Sequence, residues 1–238
     1  MIDETIAEIR DMQTHSSSVV AVKATRALSE LLERDHATVE EFERDLERNA
    51  SALKRANPSH ASLFNAMQTV LVNVVDRKDS VEESKSLLAD VTERVVEDVR
   101  QGKSRAARQA APSFEDGKTF LTHDFSSTVL EAIERAVDDG ADLTAYVTEA
   151  RPRYLGRKCA RRLAEIDSVE PHLLVDGAAG SFLAECDRVV IGMDCIVDDT
   201  LYNRVGTYPI VATAAHLDVP VTVVGSAAKI VDSGFVFE

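Results

Sequence analysis

Cysteine is scarce in this chain and follows no pattern. Cys159, Cys186 and Cys195 are the only three in 238 residues, with no CxxC pair and no Cys/His spacing suited to a metal. That count excludes a disulfide-stapled secreted scaffold and fits a reducing compartment, so a cytoplasmic location and no metal or other cofactor are expected. Long hydrophobic runs are also missing. With 29% of residues charged, no stretch approaches the roughly 18 apolar residues of a membrane-spanning helix. The opening MIDETIAEIR is acidic and amphipathic, without the basic and apolar regions of a secretory signal. Lysine is sparse: eight residues, among 27 basic against 41 acidic, for a net charge of −14. Such a surface repels phosphate backbones, which excludes an extensive nucleic-acid interface. The acid-rich, lysine-poor balance suits a high-salt cytosol, and equally an ordinary acidic protein. No GxGxxG follows an expected strand and no GxxxxGK[ST] occurs, so neither a nicotinamide enzyme nor a P-loop NTPase is supported.

What is present divides into two halves. Residues 1 to 111 carry a helical period and no strand signal. SSSVVAVKATRALSELLER places Val19, Val22, Ala24, Leu28, Leu31 and Leu32 near a 3.6-residue repeat, with serines as N-cap candidates. In the next segment Thr38 and Glu41 form a capping box. Pro58 breaks the pattern before HASLFNAMQTVLVNVVDR, and a long charged helix over 80 to 112 carries a stripe at Val81, Leu87, Leu88, Val91 and Val95.

From 112 to 238 short β-rich runs alternate with helical stretches. KTFLTH, LTAYVTEA, PHLLVDG, RVVIGMDCIV and PVTVVG read as five strands, with helices at SSTVLEAIERAVDD, YLGRKCARRLAEI, AAGSFLAEC and TYPIVATAAHL. Several runs are continuously apolar, as in a parallel sheet buried on both faces. The expected fold class is therefore α/β: a helical N-terminal domain (1–111) and a Rossmann-like C-terminal domain (112–238) with a mostly parallel sheet. Ligands of such sheets sit at the carboxyl ends of the strands. Polar residues collect there: His123 and Asp124, Glu149 to Arg153, Asp176, Asp194, and Ser226 to Lys229. A carboxylate at a buried strand end is costly unless it is satisfied or used.

Four segments in order resemble one family. They are NPSHASLFNAMQTVL, LTHDFSSTVL, VTEARPRYLGRKCARRLAE and GMDCIVDDTLYNRVGTYPIVATAAHLDVPVTVVGSAAKI. The last has the pattern Gly-x-Asp, a loop, Asn-basic-x-Gly-Thr, a helix, an apolar strand and a lysine. The chain resembles the α/β/δ subunits of translation initiation factor 2B and the related isomerases of ribose-1,5-bisphosphate and methylthioribose-1-phosphate. The resemblance implies a cleft between the two domains that holds a phosphorylated sugar in the isomerases, where a Cys-Asp pair moves protons between adjacent carbons.

Carried over by position, the active-site aspartate falls on Asp194. The substrate-binding Asn-Lys pair falls on Asn203 and Arg204, followed by Gly206 and Thr207, and the phosphate-contacting lysine on Lys229. The Ser-containing turn falls on Ser126, Ser127 and Thr128 after His123, and Arg151 organises the cleft or a subunit contact with Glu149 as its partner. The departures are as informative. The isomerases place a cysteine after the histidine; here the position is Asp124. Their Arg-Gly-Ala phosphate loop corresponds to His15–Ser18, and the arginine of their Arg-Pro-Thr to Asn57.

Each residue also has a plainer reading. Asp124 serves as a helix cap, a proton shuttle with Asp194, or a ligand contact. Thr207 serves as an N-cap, His15–Ser18 as an N-cap or an anion nest. The expected function is that of a non-catalytic, regulatory or ligand-binding relative of initiation factor 2B that recognises a nucleotide or sugar phosphate. The alternative is an aldose–ketose isomerase using Asp124 and Asp194. Expected partners are the phosphorylated small molecule, further copies of the chain in a homodimer or larger assembly, and, as an option, a translational GTPase.

Overall fold

The computed structural model describes residues 1–11 and 16–231. The described chain forms two compact units. One comprises residues 1–102, 194–200 and those from 227 on; the other comprises 103–193 and 201–226.

The first unit is built on helices α1 (Ile2–Arg10), α2 (Ser17–Ala27), α3 (Val39–Ala56), α4 (Ala61–Val74) and the first part of α5 (Val81–Ala110). The helix expected through residue 34 stops earlier: Leu28–Glu33 tightens into a 3₁₀ turn. Thr38 caps α3, accepting the Glu41 N–H at 3.2 Å, and the Glu41 carboxylate returns to the Ala37 N–H at 2.8 Å. Phe42, Leu46, Ala50 and Leu53 recur on one face of α3 and are wholly buried. Asn57-Pro58 ends that helix, because proline supplies no N–H and disfavours helical backbone before it. Leu88, Val91, Val95 and Val99 of α5 complete this core. Ser16 takes the N-cap position of α2, its hydroxyl 3.1 Å from that of Ser18; His15 lies outside the described residues. Among the described residues no helix is long and apolar enough to cross a membrane.

One carboxylate ties this unit's turns together. Glu30 accepts the Ile2 N–H at 2.8 Å and the Arg34 guanidinium at 2.5 Å. These contacts, the amide first, pull its pKa from 4.5 down to about 2. A depressed carboxylate stabilises the fold fully above its ordinary pKa and loses that contribution as pH falls through the native value. Glu30→Gln is therefore expected to melt below wild type at neutral pH. In thermal melts the gap should narrow between pH 4.5 and about 2.

The second unit holds strands β1 (Thr119–His123), β2 (Leu143–Thr148), β3 (Val169–Leu174), β4 (Arg188–Gly192) and the last long strand (Val221–Val224). Between them lie α6 (Ser127–Asp138), α7 (Leu155–Leu163), α8 (Ala179–Phe182) and, after β5 (Cys195–Val197) and β6 (Thr200–Tyr202), α9 (Thr207–His216). The last long strand is thus β7, and β8 (Ile230–Val231) follows. The five-stranded sheet runs β3-β2-β1-β4-β7, and every ladder in it is parallel. Alternate residues of β1 point to opposite faces. Phe120 joins Val129, Ile133 and Cys159 on one side, and Leu121 joins Val189, Ile210 and Ala214 on the other. Burial on both faces explains the continuous apolar runs.

Two expectations need correction. RVVIGMDCIV is not one strand: β4 ends at Gly192, the polar Asp194 interrupts the run, and β5 pairs instead with β8, Ile196 opposite Ile230. AAGSFLAEC yields only one α-helical turn before a 3₁₀ turn at Leu183–Glu185.

Candidate functional site

The strand order reverses between β1 and β4: successive strands run one way to β3 and the other way to β7. In open parallel sheets that reversal leaves a crevice at the carboxyl ends. His123 ends β1 and Gly192 ends β4. A Cβ on Gly192 would stand 2.6 Å from the Ser126 hydroxyl, so glycine is what lets the turn after β1 come this close.

Ser126 is the N-cap of α6, its Oγ accepting the Val129 N–H at 3.3 Å. Ser127 and Thr128 open the helix. The cap is Ser126, so Asp124 is released from the capping role open to it in the sequence. Asp124 instead pairs with Arg204, Oδ2 to Nε at 2.9 Å. Its side chain is 7% exposed while that of Arg204 is 33% exposed. The backbone at Asp124 is left-handed, φ 64°, a conformation that Asp and Asn tolerate better than other non-glycine residues.

His123 is buried, with both ring nitrogens engaged. Nδ1 lies 2.6 Å from Thr148 Oγ1, and Nε2 lies 2.8 Å from the carbonyl oxygen of Val205, 82 residues along the chain. A carbonyl only accepts, so Nε2 carries a proton; the Thr148 hydroxyl beside Nδ1 also reaches the Thr122 carbonyl at 3.4 Å. His123 thereby fastens the 203–206 loop to the end of β1. Gly206, at φ 103°, passes so close that a Cβ would lie 2.8 Å from the imidazole Cε1. Gly206 is also the N-cap of α9; Thr207, expected to cap, is the first helical residue, and its hydroxyl accepts from the Asn203 amide at 3.1 Å. The expected residues His123, Asp124, Asn203, Arg204, Gly206 and Thr207 are thus joined by direct contacts.

The β2 end is organised differently from expectation. Glu149 does not pair with Arg151. It accepts two bonds from Arg157, at 2.7 and 3.2 Å, because α7 turns that side chain back over the strand end. Asp176 holds the loop by accepting the N–H groups of Ala150 and Arg151, both at 2.7 Å. The Arg151 guanidinium lies 5.5 Å from the Tyr154 ring centroid. Gly156, Thr148 and Arg157 were not singled out as site residues. The glycine is the most constrained of them: a Cβ there would fall 1.8 Å from the Thr148 carbonyl oxygen.

Asp194 and Lys229 belong to the first unit. Both act on the buried Cys195 thiol, whose pKa is pushed up to about 11, by burial first and by Asp194 second, with Lys229 opposing. The Asn65 amide donates to the carbonyls of Ala228 and Ile230, at 2.9 and 2.8 Å, and so steadies the turn that carries Lys229. Burial also pushes Cys159 and Cys186 up to about 12. No thiol in the chain is therefore poised as a thiolate near neutral pH. Among the described residues no group of three or more His, Cys, Asp or Glu side chains is placed to hold a metal ion.

Comparison with known proteins places this geometry in context. Residues 13–234 match the model of the family described as the initiation factor 2 subunit family. A ribose 1,5-bisphosphate isomerase of Haloterrigena turkmenica is 34% identical over 228 residues, covering 95% of this chain and 69% of that protein. A translation initiation factor eIF-2B subunit 2-like protein of Pyrococcus horikoshii is 31% identical, covering 90% of this chain and 73% of that one. The crystal structure of a Pyrococcus horikoshii OT3 translation initiation factor eIF-2B superposes with a TM-score of 0.83 at 25% identity, over 96% of this chain and 79% of its own.

Proposed function

We propose that this chain, which belongs to the initiation factor 2 subunit family, is a non-catalytic member that binds a phosphorylated small molecule, a nucleotide or sugar phosphate, and acts as a regulatory or assembly subunit, as a homodimer. The observation that carries the reading is the ion pair between Asp124 and Arg204. The resemblance puts the isomerases' proton-moving cysteine at this position. Here the position holds a carboxylate already neutralised by a guanidinium, and the chain's three thiols are buried with raised pKa values. Aldose–ketose isomerisation needs a group that can take a proton from one carbon and return it to the next. A carboxylate fixed on arginine is poorly placed for that exchange. Anion recognition is better supported. The turns that precede α6 and α9 are tied to each other through Asp124 and Arg204, and the backbone N–H groups at those helix starts, with Ser126, Ser127, Thr207, Asn203 and Arg204, are the groups proposed to meet the anion. Asp194 and Lys229 are proposed as further ligand contacts.

A second reading, isomerisation of a sugar phosphate with Asp124 and Asp194 as the proton carriers, is favoured by the 34% identity to a protein named ribose 1,5-bisphosphate isomerase. Turnover assays with ribose-1,5-bisphosphate and methylthioribose-1-phosphate separate the two, run on wild type and Asp194→Asn. No conversion is expected; conversion that Asp194→Asn abolishes would establish the enzyme instead. Thermal-shift screening against AMP, GDP, GTP and the two sugar phosphates tests the ligand. A ligand at a hundred times its Kd adds about 2.7 kcal/mol, or roughly 5–10 °C for a chain of this size. A flat screen together with absent turnover would discard small-molecule recognition in favour of a purely protein partner, such as a translational GTPase.

A further inference from the structure

The segment from 150 to 163 runs against the rest of the chain. It holds Arg151, Arg153, Arg157, Lys158, Arg161 and Arg162 and no carboxylate, in a protein whose net charge is −14. The fold sorts these residues sharply. Gly156, Cys159 and Leu163 form the buried side of α7, while all six cations are exposed.

This arrangement costs the helix stability in two ways. Arg157 and Lys158 stand in the first turn, where no acidic residue is present and the helix dipole favours negative charge. Arg157 with Arg161, and Lys158 with Arg162, put like charges one turn apart, which destabilises a helix. Compensation is partial: Glu149 takes Arg157, Glu165 takes Arg162 at 2.5 Å, Arg157 and Arg151 lie 4.2 and 5.5 Å from the Tyr154 ring centroid, Lys158 lies 4.6 Å from that of Phe125, and Arg161 and Arg162 suit the negative end of the helix dipole. A cationic face kept at the expense of its own helix points to an anion outside the chain.

We infer that the exposed face of α7, with the preceding loop, is a docking surface for a carboxylate-rich segment of a partner protein. The footprint selects that occupant. A nine-residue helix is about 14 Å long, which suits a few turns or a short extended stretch of acidic chain. One small anion would engage only one or two of the cations. A long nucleic acid would run off the patch onto a chain that is otherwise still more acidic than its net charge, where repulsion opposes it.

The test uses the full chain and a fluorescein-labelled deca-glutamate peptide, followed by anisotropy in about 0.1 M salt, where the screening length of about 10 Å is comparable to the patch. Saturable binding is expected, lost in about 1 M salt, where screening shortens to about 3 Å. The double variant K158E/R161E should weaken it at least tenfold, and the neutral K158Q/R161Q about threefold. K158E/R161E should melt at or above wild type, since it relieves like-charge contacts and puts an acid in the first turn. The neutral pair supplies the affinity comparison should the reversed one fail to fold. Absent binding, or binding that neither variant weakens, would overturn the proposal. So would a ten-nucleotide RNA bound more tightly than the peptide. Self-association that K158E/R161E abolishes would replace the partner protein with a second copy of this chain.

Discussion

Gly156→Ala is expected to melt about 6–12 °C below wild type. The added methyl group would stand 1.8 Å from the Thr148 carbonyl oxygen, 2.8 Å from its carbonyl carbon and 2.9 Å from that of Glu149. All three are backbone atoms of β2 and the residue after it, so no side chain can swing aside. Either α7 lifts off the sheet or β2 bends, and both disturb the core where Cys159 and Leu163 meet Ala145 and Val147. Overpacking costs typically 1–3 kcal/mol, occasionally more. A clash against backbone belongs at the upper end, and each kcal/mol moves the Tm of a chain this long by about 2–4 °C. Gly177→Ala is the matched control. Nothing lies within 4 Å of its added methyl group, and the change should leave the Tm within a degree or two. Differential scanning fluorimetry on the pair is sufficient. A Gly156→Ala chain that melts with wild type would mean that α7 does not sit on β2 as described.

Asp124→Asn is expected to lose about 1.5–3 kcal/mol. Breaking a buried ion pair by removing one partner typically costs 3–5 kcal/mol, because the other charge is left uncompensated. Arg204 is 33% exposed, so water recovers part of its hydration and the figure is discounted. Asparagine isolates the charge: it is nearly isosteric and accepts the left-handed backbone at φ 64°. The effect should reach the loop as well as the melting point. Arg204 lies beside Val205, whose carbonyl is clasped by His123, so amide exchange over 203–206 should quicken in the variant. Urea denaturation measures the first effect and hydrogen exchange the second. Unchanged stability and unchanged exchange together would show that the pair is incidental, and the case against catalysis at Asp124 would then lose its support.

These two positions mark the difference between what was legible in the sequence and what was not. The helical period of residues 1 to 111 and the strand–helix alternation after it predicted the longer helices and the five strands of the parallel sheet, but not β6, β8 or the 3₁₀ turns, since hydrophobic burial acts residue by residue while short edge pairings depend on distant partners. The cap of α6 read from the sequence was Asp124, and the structure gives that place to Ser126; His123, Asp124 and Arg204 were identified as site residues from their places at strand ends and in the quoted motifs. Their relations to one another were not. Glu149 was assigned to Arg151, its near neighbour, and pairs with Arg157 because one turn of α7 carries that guanidinium back over the strand end. RVVIGMDCIV read as one strand, and the pairing of Ile196 with Ile230 showed that its second part belongs to another ladder.

By itself the sequence determined which segments bury apolar side chains, where each changes from strand to helix, and which charged or hydroxylated residues fall at those changes. Only the tertiary structure decided that Asp124 is spent on Arg204, that His123 closes on Val205, and that Gly156 can be nothing larger. Periodicity is a local property of the chain, whereas ion pairs and backbone approach depend on which distant strands the sheet sets side by side.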